Sequence, residues 1–403
     1  MIKSHYLQSA FKRCCLTLLF LSSLTSFNAR SSDFTVDGLS YTFLSLEDLT
    51  CEVSGWDGTG DGNVTIPAIV TYKGRDISVI QIGNGVFKDC YFTSITLPSS
   101  LLTIDNDAFM NCYNLEEINL NSVNRIGYRA FQNCRGLKKI TITSKLVIGQ
   151  QAFEDCSQLR YIVGSESIIG IGYEAFRNCA SLQNVHFRDL KWISDYAFFG
   201  CKSLTEVIIP STVTEILKGA FNSTNLDAFI IEDSDQSIYL KKYMAYAKYI
   251  YIGRDTELFD GDSNSIGVGR TLELGKYVKK FNCIKYWSHI DCLISHNLTP
   301  PSISGVSNSE VSNSGYMNIE VRVPAEALEA YKQAPVWKNF WSIKAIEDES
   351  GISDIERDDD DSFQVYDTNG ILVDASCTSE KLQQLPHGVY IVVKQDKRMK
   401  IKI

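Results

Sequence analysis

Between residues 115 and 209 the chain repeatedly runs apolar, polar, polar, apolar, polar, apolar: LEEINL at 115–120, LKKITI at 137–142, LQNVHF at 182–187 and LTEVII at 204–209. Alternation over so few positions predicts short strands with one face buried. Ile118, Leu120, Ile140 and Ile142 fall on the inner side. Glu117, Asn119, Lys139, Thr141, Tyr161, Val163, Asn184, His186, Arg188, Glu206 and Ile208 fall on the outer side. A single copy cannot bury its own apolar residues, whereas stacked copies can, with neighbouring strands about 4.8 Å apart. The pattern predicts a mainly β fold: a parallel solenoid whose repeat is a turn, one short strand and a return.

Three further columns keep the same period of 22 or 23 residues. Phenylalanines stand at Phe87, Phe109, Phe131, Phe153, Phe176, Phe198 and Phe221. Cysteines follow three residues later at Cys90, Cys112, Cys134, Cys156, Cys179 and Cys201, with Thr224 in the last copy. Isoleucines recur at 82, 104, 126, 148, 171, 193 and 216. The residue before each cysteine is Asp89, Asn111, Asn133, Asp155, Asn178 or Gly200, types that tolerate turns and left-handed backbone. In register, the phenylalanines and cysteines form two interior ladders, the cysteines serving as small apolar filler. Disulfides between adjacent rungs are the alternative, though side chains projecting in parallel meet the bridging geometry poorly. A metal row is the third reading, and a single file of thiols offers pairs where a soft metal wants four converging ligands.

The phrase YAFFGCKSLTEVIIPSTVTEI, residues 196–216, resembles the BspA-like class of leucine-rich repeats. The β-rich segment at 31–81 resembles the cap that precedes such arrays in secreted bacterial proteins. On this reading 82–232 are regular repeats. Strands at irregular spacing and a cap closing the array follow over 233–348, where Pro324 precedes an amphipathic run and Trp337, Phe340 and Trp341 lie close together. The resemblance implies a leucine-rich-repeat protein of the cell surface or exterior that binds other proteins, with adhesion to host matrix or to other cells as its use.

Composition narrows the partners. A formal charge of -9 over 403 residues argues against nucleic acid, whose recognition begins with clustered Lys and Arg. Residues 1–29 read as a signal peptide, with Lys3, Lys12 and Arg13 ahead of the apolar run CCLTLLFLSSL. That run is too short to span a bilayer, and no later segment is apolar enough to anchor the chain. The expected mature protein is a monomer, secreted or held at the cell surface. At the other end, 349–362 is an acidic linker containing Asp358, Asp359, Asp360 and Asp361. Residues 363–403 predict a small β domain, with Thr-Asn-Gly at 368–370 as a hairpin signal. Leu385, Pro386, Gly388, Tyr390 and the ending at 400–403 resemble a type IX secretion sorting domain.

Chemistry is sparse. Cys283, His289, Cys292 and His296 lie within fourteen residues but fit no standard zinc spacing, and a Cys283 to Cys292 disulfide competes with ordinary packing. DGTGDGN at 57–63 starts like a calcium loop, yet its twelfth position is Ala68, where a bidentate Glu belongs. With no phosphate loop or nucleophile elbow, neither an enzyme nor a cofactor is expected. What remains is a surface. Lys139, Tyr161, His186 and Arg188 at mid-strip are the candidate contacts for an extracellular protein or glycan, since aromatics and Arg favour binding hot spots. A plain solvated sheet face is the competing reading.

Overall fold

The computed structural model describes residues 32–346 apart from 59–62, 242–244, 259–265, 282–289 and 304–318, and beyond them 363–367, 372–378, 381, 389–394 and 397–402. The expected signal peptide, the acidic linker, the calcium-like turn at 59–62 and Leu385, Pro386 and Gly388 lie outside these residues. The chain divides into two compact units. Met1–Asp227 with Leu240–Tyr246 make the first, and Ala228–Tyr239 with Ala247–Ile403 the second.

The first unit begins with a β cap. Phe34–Val36, Leu39–Ser45 and Thr50–Trp56 pair antiparallel in sequence, and Thr50–Trp56 then lies parallel to Arg75–Ile82. From Arg75–Ile82 onward the sheet continues as a parallel ladder through Thr103–Ile104, Arg125–Ile126, Leu146–Ile148, Ile168–Ile171, Trp192–Ile193 and Glu215–Ile216. A second parallel ladder joins Glu117–Asn119, Lys139–Thr141 and Tyr161–Val163. Each coil therefore carries two short strands, not one. The isoleucine column is the ladder that alternation did not predict, and its strands, some only two residues long, are too short for alternation to show in a window of sequence. The 23-residue step after Phe153 is absorbed there by a bulge: Leu146 faces Ile168 and Val147 faces Gly170, leaving Ile169 extra. Gly170 must lack a side chain, because a Cβ would run into the Trp192 indole.

The turns form a third line of inter-coil bonding. Phe109 N–H donates to Ala130 O at 2.7 Å, Phe131 to Ala152 at 2.7 Å and Phe153 to Ala175 at 2.8 Å. Two columns of the turn sit at positive φ. One is the expected Asp/Asn column, with Asp89 at 61° and Asn133 at 61°. The other is less usual: Asp107, Arg129, Gln151, Glu174 and Tyr196 at 52 to 56°. Left-handed backbone costs such residues about 1–2 kcal/mol each. Hydrogen bonds to the next coil hold them there, for example Gln151 N–H to Tyr173 O at 2.7 Å. The first column also ties its side chains rung to rung: Asn111 Nδ2 donates to Asp89 Oδ1 at 2.7 Å and Asn133 Nδ2 to Asn111 Oδ1 at 3.0 Å.

The core is a stack of rings. Consecutive pairs from Phe87 to Phe221 have centroids 4.9 to 5.3 Å apart and planes within 14° of parallel, and all seven side chains are fully buried. This is the offset stacking that aromatic quadrupoles favour. Packed around it are the alanines that precede Phe109, Phe131, Phe153, Phe176, Phe198 and Phe221 and the leucines and isoleucines of the two ladders.

In the second unit, Ile266–Leu274, Cys292–Ser295, Glu320–Val323 and Ser342–Ala345 pair in parallel. Gly253 N–H donates to Ile231 O, Gly275 to Ile252 and His296 to Leu274, at 2.8, 2.8 and 2.9 Å. Coils thus continue at nearly the earlier period as far as Ser295, and a longer step then separates Cys292 from its partner Glu320. The regular columns vanish from the sequence because the strands are longer and the Phe-x-x-Cys turn is gone. The close of the array is the helix Leu328–Gln333 and the 3-10 turn Trp337–Asn339. Trp337 is buried against Tyr331 and Phe340, and its Nε1 donates to Pro301 O at 2.7 Å, whereas Trp341 points out, 75% exposed. Farther on, Phe363–Asp367, Leu372–Cys377, Val389–Lys394 and Lys397–Lys402 form a four-stranded antiparallel sheet with Phe363–Asp367 between Leu372–Cys377 and Val389–Lys394.

Candidate binding face

The outer face of the Glu117–Asn119, Lys139–Thr141, Tyr161–Val163 ladder is built on fixed register. Lys139 lies between Glu117 and Tyr161, and Thr141 between Asn119 and Val163. Flanking N–H groups are spent along the solenoid axis, Leu120 to Thr141 O and Ile142 to Val163 O, both at 2.8 Å. The backbone consequently has little to offer a ligand, and recognition falls to side chains. Tyr161 is 49% exposed and Val163 nearly as open. Lys139 Nζ reaches Glu117 Oε2 at 3.4 Å, and Lys138 Nζ reaches Glu116 Oε1 at 2.9 Å.

Of the four candidate contacts, the ladder places Lys139 and Tyr161 side by side on adjacent rungs. Beyond Tyr161 it narrows to a single bridge with Asn184, so His186 and Arg188 belong to no strand. Both are exposed. His186 is still pinned: its N–H donates to Ser165 Oγ at 3.0 Å, and the same hydroxyl donates back to His186 O at 3.0 Å. Thr212 Oγ1 likewise donates to Arg188 O at 3.0 Å.

The cysteine column is interior and bonded. Cys112, Cys134, Cys156, Cys179 and Cys201 are fully buried free thiols. Each Sγ donates to the carbonyl of the Phe one coil earlier, Cys112 to Phe87 at 3.0 Å and Cys134, Cys156, Cys179 and Cys201 to Phe109, Phe131, Phe153 and Phe176 at 3.1 Å. Cysteine is thus more than filler, because it satisfies a second lone pair on a carbonyl that the turn already uses once. Burial raises the thiols of Cys134, Cys156, Cys179 and Cys201; for Cys112 the hydrogen bond with Cys134 comes first and burial second. Cys90, with no coil before it, is only half-buried, and its Sγ turns to Lys88 O at 3.8 Å. At the far end Thr224 Oγ1 bonds Phe221 O of its own repeat at 2.7 Å.

Among the described residues no group of His, Cys, Asp and Glu converges to hold a metal ion. Of the zinc-like set, Cys283 and His289 lie outside the described residues, so their pairing with Cys292 does too. His296 Nε2 meets Glu273 Oε1 at 2.8 Å, and Tyr249 donates its hydroxyl to Glu273 Oε2 at 2.7 Å. The turn edge holds a second polar cluster that the sequence did not announce. Glu174, nearly buried, takes hydrogen bonds from Arg177 and from Gln151 at 2.9 Å, and Glu154 takes one from Gln132 at 2.6 Å. Burial raises the Glu154 carboxyl above its ordinary range.

Residues 76–147 and 124–249 match the family model for the BspA type leucine-rich repeat region, in six copies. Among solved structures the chain is similar to a leucine-rich repeat protein from Bacteroides ovatus, at 23% identity over 78% of this chain and 100% of that one, TM-score 0.41. A leucine rich cell surface protein from Faecalibacterium prausnitzii is similar at 16% identity, over 78% and 95%, TM-score 0.43. The T. pallidum leucine-rich repeat protein is similar at 28% identity, over 47% and 88%, TM-score 0.41. No curated protein matches the chain. Within these repeats, strict alternation overlooked the outer positions directly after each leucine and at the turn exit. Tyr113, Arg135, Lys138 and Arg160 stand there, all exposed. Reading the repeats in columns would have found them.

Proposed function

We propose that this chain is a non-enzymatic, secreted or cell-surface protein that uses its leucine-rich repeats to bind an extracellular macromolecule, adhering to host matrix protein or to another cell. The observation that carries the reading is the face around Lys139 and Tyr161: an exposed aromatic of hot-spot type beside a half-exposed cation, held in register on a ladder whose backbone bonds are internally spent. Leucine-rich-repeat families are, as a rule, binding proteins rather than enzymes, and their BspA-like members work at the cell surface or outside it. No helix among the described residues is long and apolar enough to cross a membrane. Export by a signal peptide, followed by sorting through the C-terminal β sheet, accounts for the two ends of the chain.

The test is capture of matrix proteins by the purified chain and by a Lys139→Ala, Tyr161→Ala, His186→Ala, Arg188→Ala variant. Loss of capture with an unchanged melting temperature supports the face, and undiminished capture removes it. Intact mass of exported material tests the sorting role, which a cell-internal, untrimmed product would contradict.

A further inference from the structure

We propose that the middle of this face is a site for an anionic polysaccharide, a sulfated or otherwise acidic glycan lying along three consecutive coils. The inference rests on the strand face being the binding face, as above. Its starting point is a local inversion of charge. The chain carries -9 overall. Between residues 135 and 188 the strand side nonetheless presents Arg135, Lys138, Lys139, Arg160 and Arg188, with Asp189 directly after them paired to Lys145 at 3.7 Å. The acids of that stretch stand elsewhere: Glu154, Asp155 and Glu174 on the turn edge and Glu166 in the 3-10 helix Ser165–Ser167. Lys138 and Lys139 reach back to Glu116 and Glu117 of the preceding coil. Both pairs are open to water, and pairs of that kind are weak enough to exchange for a ligand anion.

A polysaccharide fits better than an acidic peptide for two reasons. A peptide gains most by adding a strand, and here the ladder strand Lys139–Thr141 has a neighbour on each side, so no strand edge is free at the centre of the band. The side chains between the cations are also those that serve sugars. Tyr113, 41% exposed and with the Arg135 guanidinium over its ring at 5.9 Å, and Tyr161 offer flat apolar surfaces for sugar C–H faces. Asn114, Gln183 and Asn184, all exposed, offer amides for hydroxyls. Lys138 and Arg160 stack at the same position of adjacent coils, Arg160 N–H donating to Lys138 O at 2.9 Å, so two cations follow one another about 4.8 Å apart along the axis. Such a band also steers an anionic chain from a distance in dilute salt.

The experiment uses the full chain with heparin as the sulfated probe, and dextran and polyglutamate as neutral-glycan and acidic-peptide probes, in titrations at several salt concentrations. Three proteins are compared: wild type, Arg135→Ser with Lys138→Ser and Arg160→Ser, and a remote charge-matched variant, Lys276→Ser with Lys332→Ser and Lys338→Ser. All six positions are exposed, and melting curves check folding. Expected are heparin binding weakened by salt, no dextran binding, and a loss of about tenfold in the face variant. The remote variant should bind like wild type. Heparin ignored by wild type, polyglutamate bound as tightly as heparin, or equal losses in both variants would each overturn the inference. If heparin is ignored while the Lys139, Tyr161, His186, Arg188 variant still loses matrix-protein capture, the face stands and only the polysaccharide falls.

Discussion

Raising the pH from 7.5 to 9.5 under reducing conditions should sharply destabilise the first unit, through the cysteine column. In the folded chain the five thiols from Cys112 to Cys201 are fully buried, each donates to a Phe carbonyl, and all have raised pKa values. In the unfolded chain they ionise near the ordinary thiol value of about 8.5. Above that value the folded state binds more protons than the unfolded one, so stability is full below it and falls as pH rises. One pH unit above it each thiol accounts for about 1.4 kcal/mol, the five together for about 7 kcal/mol, and Cys51 and Cys90, which burial also pushes up to about 12, add to a loss that is a large part of the 5–15 kcal/mol typical of a folded domain. Tyrosines ionise only near pH 10, so the window isolates thiols. The assay is urea unfolding at both pH values with reductant present. A Cys134→Ala, Cys156→Ala variant lacks two of the five thiols, and its pH-dependent loss should be smaller than wild type's by about 3 kcal/mol whatever its stability at pH 7.5. A midpoint equal at both pH values, or a loss undiminished in the variant, would refute the reasoning.

Three other outcomes follow from the same interior. Phe153 stacks on Phe131 at 5.0 Å and on Phe176 at 5.3 Å, so Phe153→Ala should cost about 3–5 kcal/mol in denaturant unfolding. Phe153→Leu keeps most of the volume and should cost about 1–2 kcal/mol, the share due to ring stacking and shape. Asn133 sits at φ 61°, so Asn133→Ala should lower stability by about 1–2 kcal/mol. Asn133→Gly keeps the turn and should cost less, and equal losses in thermal melts would assign the position to the side-chain amide instead. Finally, Cys112, Cys134 and Cys156 in native, reduced protein should resist a maleimide until the chain is unfolded, while half-buried Cys90 reacts first; rapid modification of all four would show that the column is open to solvent.

Periodicity alone determined that this chain is a parallel solenoid, because a column of phenylalanines 22 or 23 residues apart can be buried only by its own neighbours. The ring stack and the Asp/Asn turn were equally legible, since bulk and left-handed tolerance are properties of the residue itself. The second ladder was not, because strands such as Arg125–Ile126 are shorter than any pattern that would reveal them. Nor was the bond from each thiol to the carbonyl 25 or 26 residues earlier, a contact set by how one coil sits on the last. The candidate face divides the same way. Alternation pointed to Lys139 and Tyr161 as outward neighbours. Only the stacked coils decided that Arg135, Lys138 and Arg160 share that side while the nearby carboxylates stand on the turn edge and connections. Charge sums along a sequence do not record direction, and direction is what the tertiary winding of the coils supplies.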